Sequence, residues 1–532
     1  MISSGDCERA RMSGIDDKPL ELLTQSGSIS AGRGKRDSYQ EGYVSETTTR
    51  DITALEIASI GWSICNSWVG VLSTLAFNVA NGGSPGLLYG LWFVFIMYGF
   101  VVYTLAELAR VYPSAGGQYH WTAVVAPKWC ARATSYACGM INIFAWGALS
   151  AGVAIILPQQ LLALVITYNP SYEVERWHVF LIYQSPPTDY VAVRIALSLA
   201  AFIAATVTSL ARAPHFQSSK AVWVTFVDLS GWDNKGLVFF IGLLTPGYMY
   251  AGIDGAIHLA EEARNARTAV PKALVSIWGI GFLTSFIVAV ASMYAVQDFT
   301  AVATTKSGFP IFELWRQAMD SEAAATAFLV FTHVAGYMAV SGCQQTASRL
   351  TWSFARDSGL VASSKIALID ERWQVPIWAL CANGVMTFLI GCVYLGSSTA
   401  FNAFIGTGLI LQLVTFAFPA ALLLLTGRPK RFLPPNRTFG LPIAFGWVAN
   451  VVTVAFALFC LVFYCFPPAR PVTGSNMSEF DTSGLLISLT FLTAPDYAPA
   501  VLAVIGIFIV ANWFLHARKH YHGPQLEDLI AL

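Results

Sequence analysis

Two long apolar segments of this chain are interrupted in the middle, and that constrains its fold more than any other feature. The first covers residues 57–80 and carries Asn66-Ser67-Trp68-Val69-Gly70 at its centre. The second covers residues 237–260 and carries Gly252-Ile253-Asp254-Gly255 in its later half. At about 1.5 Å of rise per residue, each is long enough to cross a bilayer as a helix. Each puts glycine and polar groups where a plain anchor has leucine. A helix that unwinds within hydrocarbon exposes N–H and C=O groups that only protein, water or a ligand can satisfy. A matched pair of breaks, one in each half of a chain, predicts a site built at the breaks.

Composition agrees with a membrane setting. Of 532 residues, 55% are hydrophobic and only 12% charged, against about 25% charged in soluble domains. The formal net charge is zero, so no global field favours nucleic acid. The nine cysteines contain no C-x-x-C pair and lie mostly in apolar segments, as small buried hydrophobes do. No histidine is followed by glutamate and no P-loop is present, so neither zinc-protease nor nucleotide-hydrolysing chemistry is indicated. No cofactor or metal is expected, and the chain does not read as an enzyme.

Residues 1–52 are rich in Ser, Gly, Thr, Arg and Asp without apolar periodicity, which predicts a disordered cytosolic tail. No cleavable signal peptide is visible, so the first span acts as the insertion signal. Residues 53–515 form the transmembrane domain, and 516–532 a cytosolic C-terminal tail. The expected architecture is all-α and multi-pass, with about eleven to twelve spans. The strong segments are 57–80, 87–109, 134–168, 191–211, 237–260, 271–296, 323–348, 376–396, 400–426, 442–466 and 498–514. The third is too long to stand perpendicular to the bilayer and should tilt or protrude.

Lys and Arg cluster in the N-terminal tail and around Arg110, Arg132, Arg264, Lys272, Arg349, Lys365, Arg428 and Arg518. The positive-inside rule makes these regions, and both termini, cytosolic. An odd number of spans conflicts with that. The conflict is placed in residues 212–236, where Arg212 and Lys220 read as cytosolic and the stretch from Ser230 to Lys235 as external. A span is missing or truncated there, or a half-length or re-entrant element replaces it.

Specific motifs sharpen the picture. They include Gly82-Gly83-Ser84-Pro85 after the first span and the run from Glu107 through Pro113, Gly116-Gly117-Gln118 and Trp121 after the second. Gly252-Ile253-Asp254 with Glu261-Glu262 follows, then Val270-Pro271 and the run from Ser348-Arg349 to Arg356-Asp357. From about residue 50 to 525 the chain resembles the amino acid–polyamine–organocation transporters, and within them the fungal choline and 4-aminobutyrate permease group. The resemblance implies a broken-helix fold of two inverted five-helix repeats (5+5) plus two C-terminal helices. It also implies that the fifth helix, which packs beside the first and eighth, is what the chain lacks.

The candidate substrate-binding residues are Asn66, Ser67, Trp68, Val69, Gly70, Trp146, Gly252, Ile253 and Asp254. Residues 66–70 would be unwound, with N–H groups at the start of the following helix half binding a carboxylate. Alternatively, Gly61 and Gly70 only permit close helix packing. Asp254 is the sharpest residue, because an acid within a span is a functional candidate by default. It could carry a proton or balance a substrate amine. A structural acid bonded to unwound backbone is the plain alternative. His258 sits at i+4 and can pair with Asp254, which makes the two the proton-coupling candidates. His333 has a weaker claim. Trp146 and Trp68 could wall the pocket, since an aromatic face attracts an ammonium group. With sixteen tryptophans in the chain, packing or interface-belt roles compete. Glu261 and Glu262 should anchor the neighbouring loop, with Arg110 or Arg349 as partners, and Glu107 should make a gate or loop contact.

The expected function is secondary active transport of a small amine-bearing solute such as an amino acid, 4-aminobutyrate or choline, coupled to protons. The alternatives are transport or export of a specialised metabolite such as a basic alkaloid, and a sensor that binds solute without carrying it. The expected partners are the solute, protons and the lipid bilayer, with no nucleic acid. The expected location is the plasma membrane, with the vacuolar membrane as the alternative.

Overall fold

A computed structural model describes residues 52–184, 194–303, 305, 309–434, 439–466 and 497–524. The N-terminal tail to residue 51 lies outside the described residues. The broken first span comprises α1 (Ala54–Cys65), α2 (Ser67–Ser73) and α3 (Leu75–Ala80). Thr53 starts α1 through a capping box with Glu56, which satisfies helix-start donors reciprocally. The two-residue strand β1 (Asn81–Gly82) leads into α4 (Gly83–Val111), the short α5 (Gln118–Val125) and α6 (Ala131–Tyr168). With 38 residues, α6 exceeds the roughly 30 Å of hydrocarbon, as its sequence length predicts.

Next come α7 (Arg176–Tyr183), α8 (Arg194–Arg212), α9 (Ser219–Trp223) and β2 (Val227–Asp228). The second broken span follows as α10 (Lys235–Gly242), α11 (Leu244–Gly247) and, after an irregular stretch, α12 (Gly255–His258). The remainder is α13 (Ala266–Ala295), α14 (Phe299–Ala303), α15 (Pro310–Met319), α16 (Glu322–Arg356), α17 (Ser363–Ile366), α18 (Ile377–Gly396), α19 (Ser398–Thr426) and α20 (Ile443–Phe463). The last helix, α21 (Tyr497–Asn512), continues through a π turn, Trp513–Ala517, to His520. It therefore runs past the boundary at 516 read from sequence, and Tyr521 is buried against Tyr136 and Phe354.

Among the described residues, ten helical segments are long and apolar enough to cross a membrane, and Ala196–Arg212 is a shorter apolar helix. The all-α, multi-pass expectation holds. Each half of the chain opens on a broken span followed by a long helix, and the two long helices that follow, α4 and α13, pack against each other. The core lies where α1, α4, α6, α13, α16 and α19 meet around the breaks.

The topological conflict resolves differently from the sequence expectation. Arg176, at the start of α7, donates to the Gly396 carbonyl at the far end of α18, while Tyr183 reaches the Thr387 carbonyl deeper in that helix. So α7 enters the bundle from the outer face. In α8, Ser198 is level with the break at Asn66, whose Oδ1 accepts from Ser198 Oγ at 3.0 Å. Arg212 at its end donates to the Met319 carbonyl of α15. Hence α8 runs outward. It packs against α1, α13, α15 and α16, beside the first and eighth spans, where the resemblance places the fifth helix.

The described part of the fourth element is α7 alone, and residues 185–193 between α7 and α8 lie outside the described residues. Residues 212–236 stay on the outer face. Gln217 donates to the Val296 and Gln297 carbonyls, Leu229 to the Ala80 carbonyl, and β2 pairs antiparallel with β1. Arg212 and Lys220 thus lie at the end of the bundle opposite the basic segments at Arg264 and Arg349, whereas the charge rule grouped them together; two cations in one loop are too few for a statistical rule to decide a side. Among the described residues ten helical segments are long and apolar enough to cross, with α7 and α8 beside them.

Candidate functional site

The break in the first span is narrower than its sequence suggests. Within 66–70, Asn66 alone leaves the helix, with φ 32° and ψ 52°, a left-handed conformation that asparagine tolerates better than most residues. Ser67 to Ser73 is helical again, so the expectation of an unwound 66–70 is corrected to one residue. The Asn66 carbonyl accepts from Val69 and Gly70, which leaves the Ser67 and Trp68 N–H groups as the first donors of that helix half. Gly70 sits where a Cβ would lie 3.3 Å from the Tyr248 carbonyl oxygen, so close approach of the two broken spans accounts for it. Ser67 Oγ donates to the Met249 carbonyl at 2.6 Å. Trp68 places its indole N–H on Ser198 and its ring beside Phe202, both on α8. Val69 is buried.

In the second break, Ala251 is extended, Gly252 has φ +78°, and helix resumes only after Asp254. Gly252 is required here twice, by its dihedral and because a Cβ would lie 2.6 Å from Ile64 Cγ2. Ile253 is buried in the core.

Asp254 is fully buried and held on both oxygens. Gln412 donates to Oδ1 at 2.7 Å and Gln118 to Oδ2 at 2.7 Å. The Trp146 indole N–H approaches Oδ2 at 3.4 Å, and His258 Nε2 lies 3.2 Å from the same oxygen. On the other side of the ring, His258 Nδ1 lies 2.7 Å from the Ala115 carbonyl. A carbonyl can only accept, so Nδ1 carries a hydrogen. A proton held at this contact would be shared by Nε2 and Oδ2 rather than belong to either residue, and Asn142 Nδ2 approaches Nε2 at 3.5 Å.

Trp146 stands edge-on to His258, with ring centroids 5.9 Å apart, and its ring lies against Gly252 and Gly255. Asp254, His258, Trp146 and Gly252 thus form one cluster. Asn66 and Trp68 belong to a neighbouring one with Ser198, and Ser67 ties the first break to the second. His333 lies apart, paired with Gln160. Sequence reasoning missed Gln118, Gln412 and Asn142, whose Nδ2 reaches Gln118 Oε1 at 3.2 Å. For Asn142 and Gln412 the available signal is an amide inside a long apolar helix, whereas Gln118 opens the short α5.

Ion pairs cluster at the end of the bundle that carries the basic loops. Glu261 takes Arg356 through both oxygens, at 2.9 and 3.1 Å, and accepts from the Ala115 N–H. Glu262 pairs with Arg349 at 2.6 Å, one of the partners expected, whereas Glu261 chooses Arg356 over Arg110. Glu107 pairs with Arg428 at 2.6 Å, both buried. Burial pushes the Glu261 carboxyl up. The charge and hydrogen bonds of Arg356, the Ala115 N–H and the neighbouring His120 outweigh it and hold the group below the usual carboxylate range.

Comparison with known proteins adds a family. A family profile described as amino acid permease matches residues 55–185 and 190–490. The choline transporter of Saccharomyces cerevisiae is 29% identical over 96% of this chain and 87% of its own. The swainsonine transporter of Arthroderma benhamiae is 31% identical over 93% and 97%. Among solved structures, MhsT in complex with L-phenylalanine shares the fold, with a TM-score of 0.51 over 76% of this chain and 97% of that one, at 13% identity.

Proposed function

Because the chain belongs to the amino acid permease family of membrane transport proteins, we propose that it carries a small amine-bearing solute by secondary active transport, with Asp254 and His258 as the proton carriers. The observation that supports this most is the buried Asp254–His258 pair at the second break, with Nε2 3.2 Å from Oδ2 and Nδ1 2.7 Å from the Ala115 carbonyl. Transport proceeds by rocking the helices around the breaks at Asn66 and at Gly252 to Asp254. A substrate amine replaces one of the amide donors on Asp254, Gln118 or Gln412, and the face of Trp146 lines its approach. In a zwitterionic substrate the carboxylate meets the Ser67 and Trp68 N–H groups. The plasma membrane is the proposed location.

The test is uptake by purified protein in liposomes, across amino acids, 4-aminobutyrate, choline and polyamines. Saturable uptake of one class supports the reading. Binding without flux turns it into a sensor. A second reading, transport of a basic alkaloid, is favoured by the similarity to the swainsonine transporter. Uptake or efflux of an indolizidine amine by protein that ignores the first panel would establish it.

A further inference from the structure

One residue joins the proton pair to the cytosolic ion pairs. The Ala115 carbonyl accepts from His258 Nδ1 at 2.7 Å, and its N–H donates to Glu261 at 3.0 Å. Glu261 in turn holds Arg356. The contact is built into the turn. Gly117 has φ +52°, its N–H bonds the Ser114 carbonyl, and a Cβ there would lie 2.8 Å from Ile257 Cγ2, so only glycine brings the turn this close to α12.

We propose that the Ser114–Gly117 turn is the positioning element that transmits the state of the Asp254–His258 proton to the Glu261–Arg356 pair, so that the closed cytosolic face holds the proton more tightly than the open one. This rests on the proton-carrying reading of Asp254.

With one proton on the pair, both contacts are satisfied: Nδ1–H donates to Ala115, and the shared proton lies between Nε2 and Oδ2. Once it leaves, one imidazole N–H serves two acceptors. A hydrogen bond to a carboxylate is stronger than one to a neutral carbonyl, so the remaining hydrogen moves to Nε2. The Nδ1 lone pair then faces the Ala115 carbonyl, and the two repel. The turn shifts and takes the Ala115 N–H away from Glu261. Linkage makes the effect reciprocal: opening the face, by drawing Ala115 away, favours release of the proton on that side.

Other titratable groups face these elements. Around the pair they are Cys65 on α1 and Tyr98 on α4, with Cys343 on α16 beside Cys65, thiols and a phenol that are uncharged at neutral pH. Among the described residues, helices α6 and α19 present Asn142, Trp146 and Gln412 to the pair, none of them titratable. Around the turn, besides Glu261 and Arg356, His120 places Nδ1 3.0 Å from Ser114 Oγ and Nε2 3.0 Å from Asp357. Tyr119 also donates to Asp357. His120 is therefore the competing source of any pH response.

Hydrogen–deuterium exchange of the peptide covering 112–118, in full-length protein and corrected for intrinsic exchange, reads the turn directly. The expected result is protection that falls at least about fivefold as pH is raised from about 5 to about 8. The fall is abolished by His258→Gln, which keeps a donor but carries no proton, and by Asp254→Asn, and it is retained in His120→Gln. Constant protection in the wild type overturns the link. So does a step that survives both substitutions at the pair, or one that vanishes with His120→Gln alone. Gradient-driven uptake measured alongside separates the two readings. A step that depends on His258 without gradient-driven uptake removes proton coupling but supports the link. Gradient-driven uptake without the step removes only the link.

Discussion

Ser67 Oγ donates to the Met249 carbonyl at 2.6 Å, with both residues buried, and so ties the two broken spans to each other. The bond lies where each span has given up part of its own ladder. It replaces an intrahelical contact with one that couples the two halves of the chain.

Ser67→Ala leaves that buried carbonyl without this donor, at a cost of about 1–3 kcal/mol. Ser67→Thr keeps the hydroxyl. The expected result is a lowered unfolding temperature for the alanine variant and a smaller change for threonine, measured on purified protein in detergent.

Gly252→Ala should be more severe. It forces φ +78° on an L side chain and places a Cβ 2.6 Å from Ile64 Cγ2. The expected outcome is little folded protein, by size-exclusion chromatography, or folded protein without uptake. Gly279→Ala serves as the control, because a Cβ there meets nothing within 4 Å.

The outward course of α8 predicts that Lys220→Cys is labelled by a membrane-impermeant thiol reagent added from outside intact cells, in a background lacking other reactive cysteines. Lys365→Cys should be labelled only after permeabilisation. Labelling of both from the same side would refute the topology.

Glu261 sets an acid limit. Its folded value lies below the ordinary 4.5, so its contribution is complete above the unfolded value and is lost as pH falls through the folded one. Thermal stability should drop below about pH 4.5, and by less in Glu261→Gln, when melting is followed across pH.

Much of this was legible in the sequence. The spans follow from apolar length, and the second break from Gly252 and Asp254. The Asp254–His258 contact follows from i,i+4 spacing, which one turn of helix enforces. The first break was over-read because Ser67 to Gly70 resembles an unwound stretch in composition, yet one left-handed Asn66 suffices to redirect the chain. The direction of α8 was hidden because apolar periodicity has no polarity, and only contacts such as Arg212 with Met319 supply it. Gln118 and Gln412 lie far from Asp254 in the sequence, and nothing local marks them as its partners.

The central claim is tested most directly by uptake in liposomes with and without an imposed inward proton gradient, for the wild type and Asp254→Asn. The account predicts wild-type uptake accelerated severalfold by the gradient, and residual uptake in Asp254→Asn that ignores it. Equal acceleration in both proteins, or none in an active wild type, would contradict it.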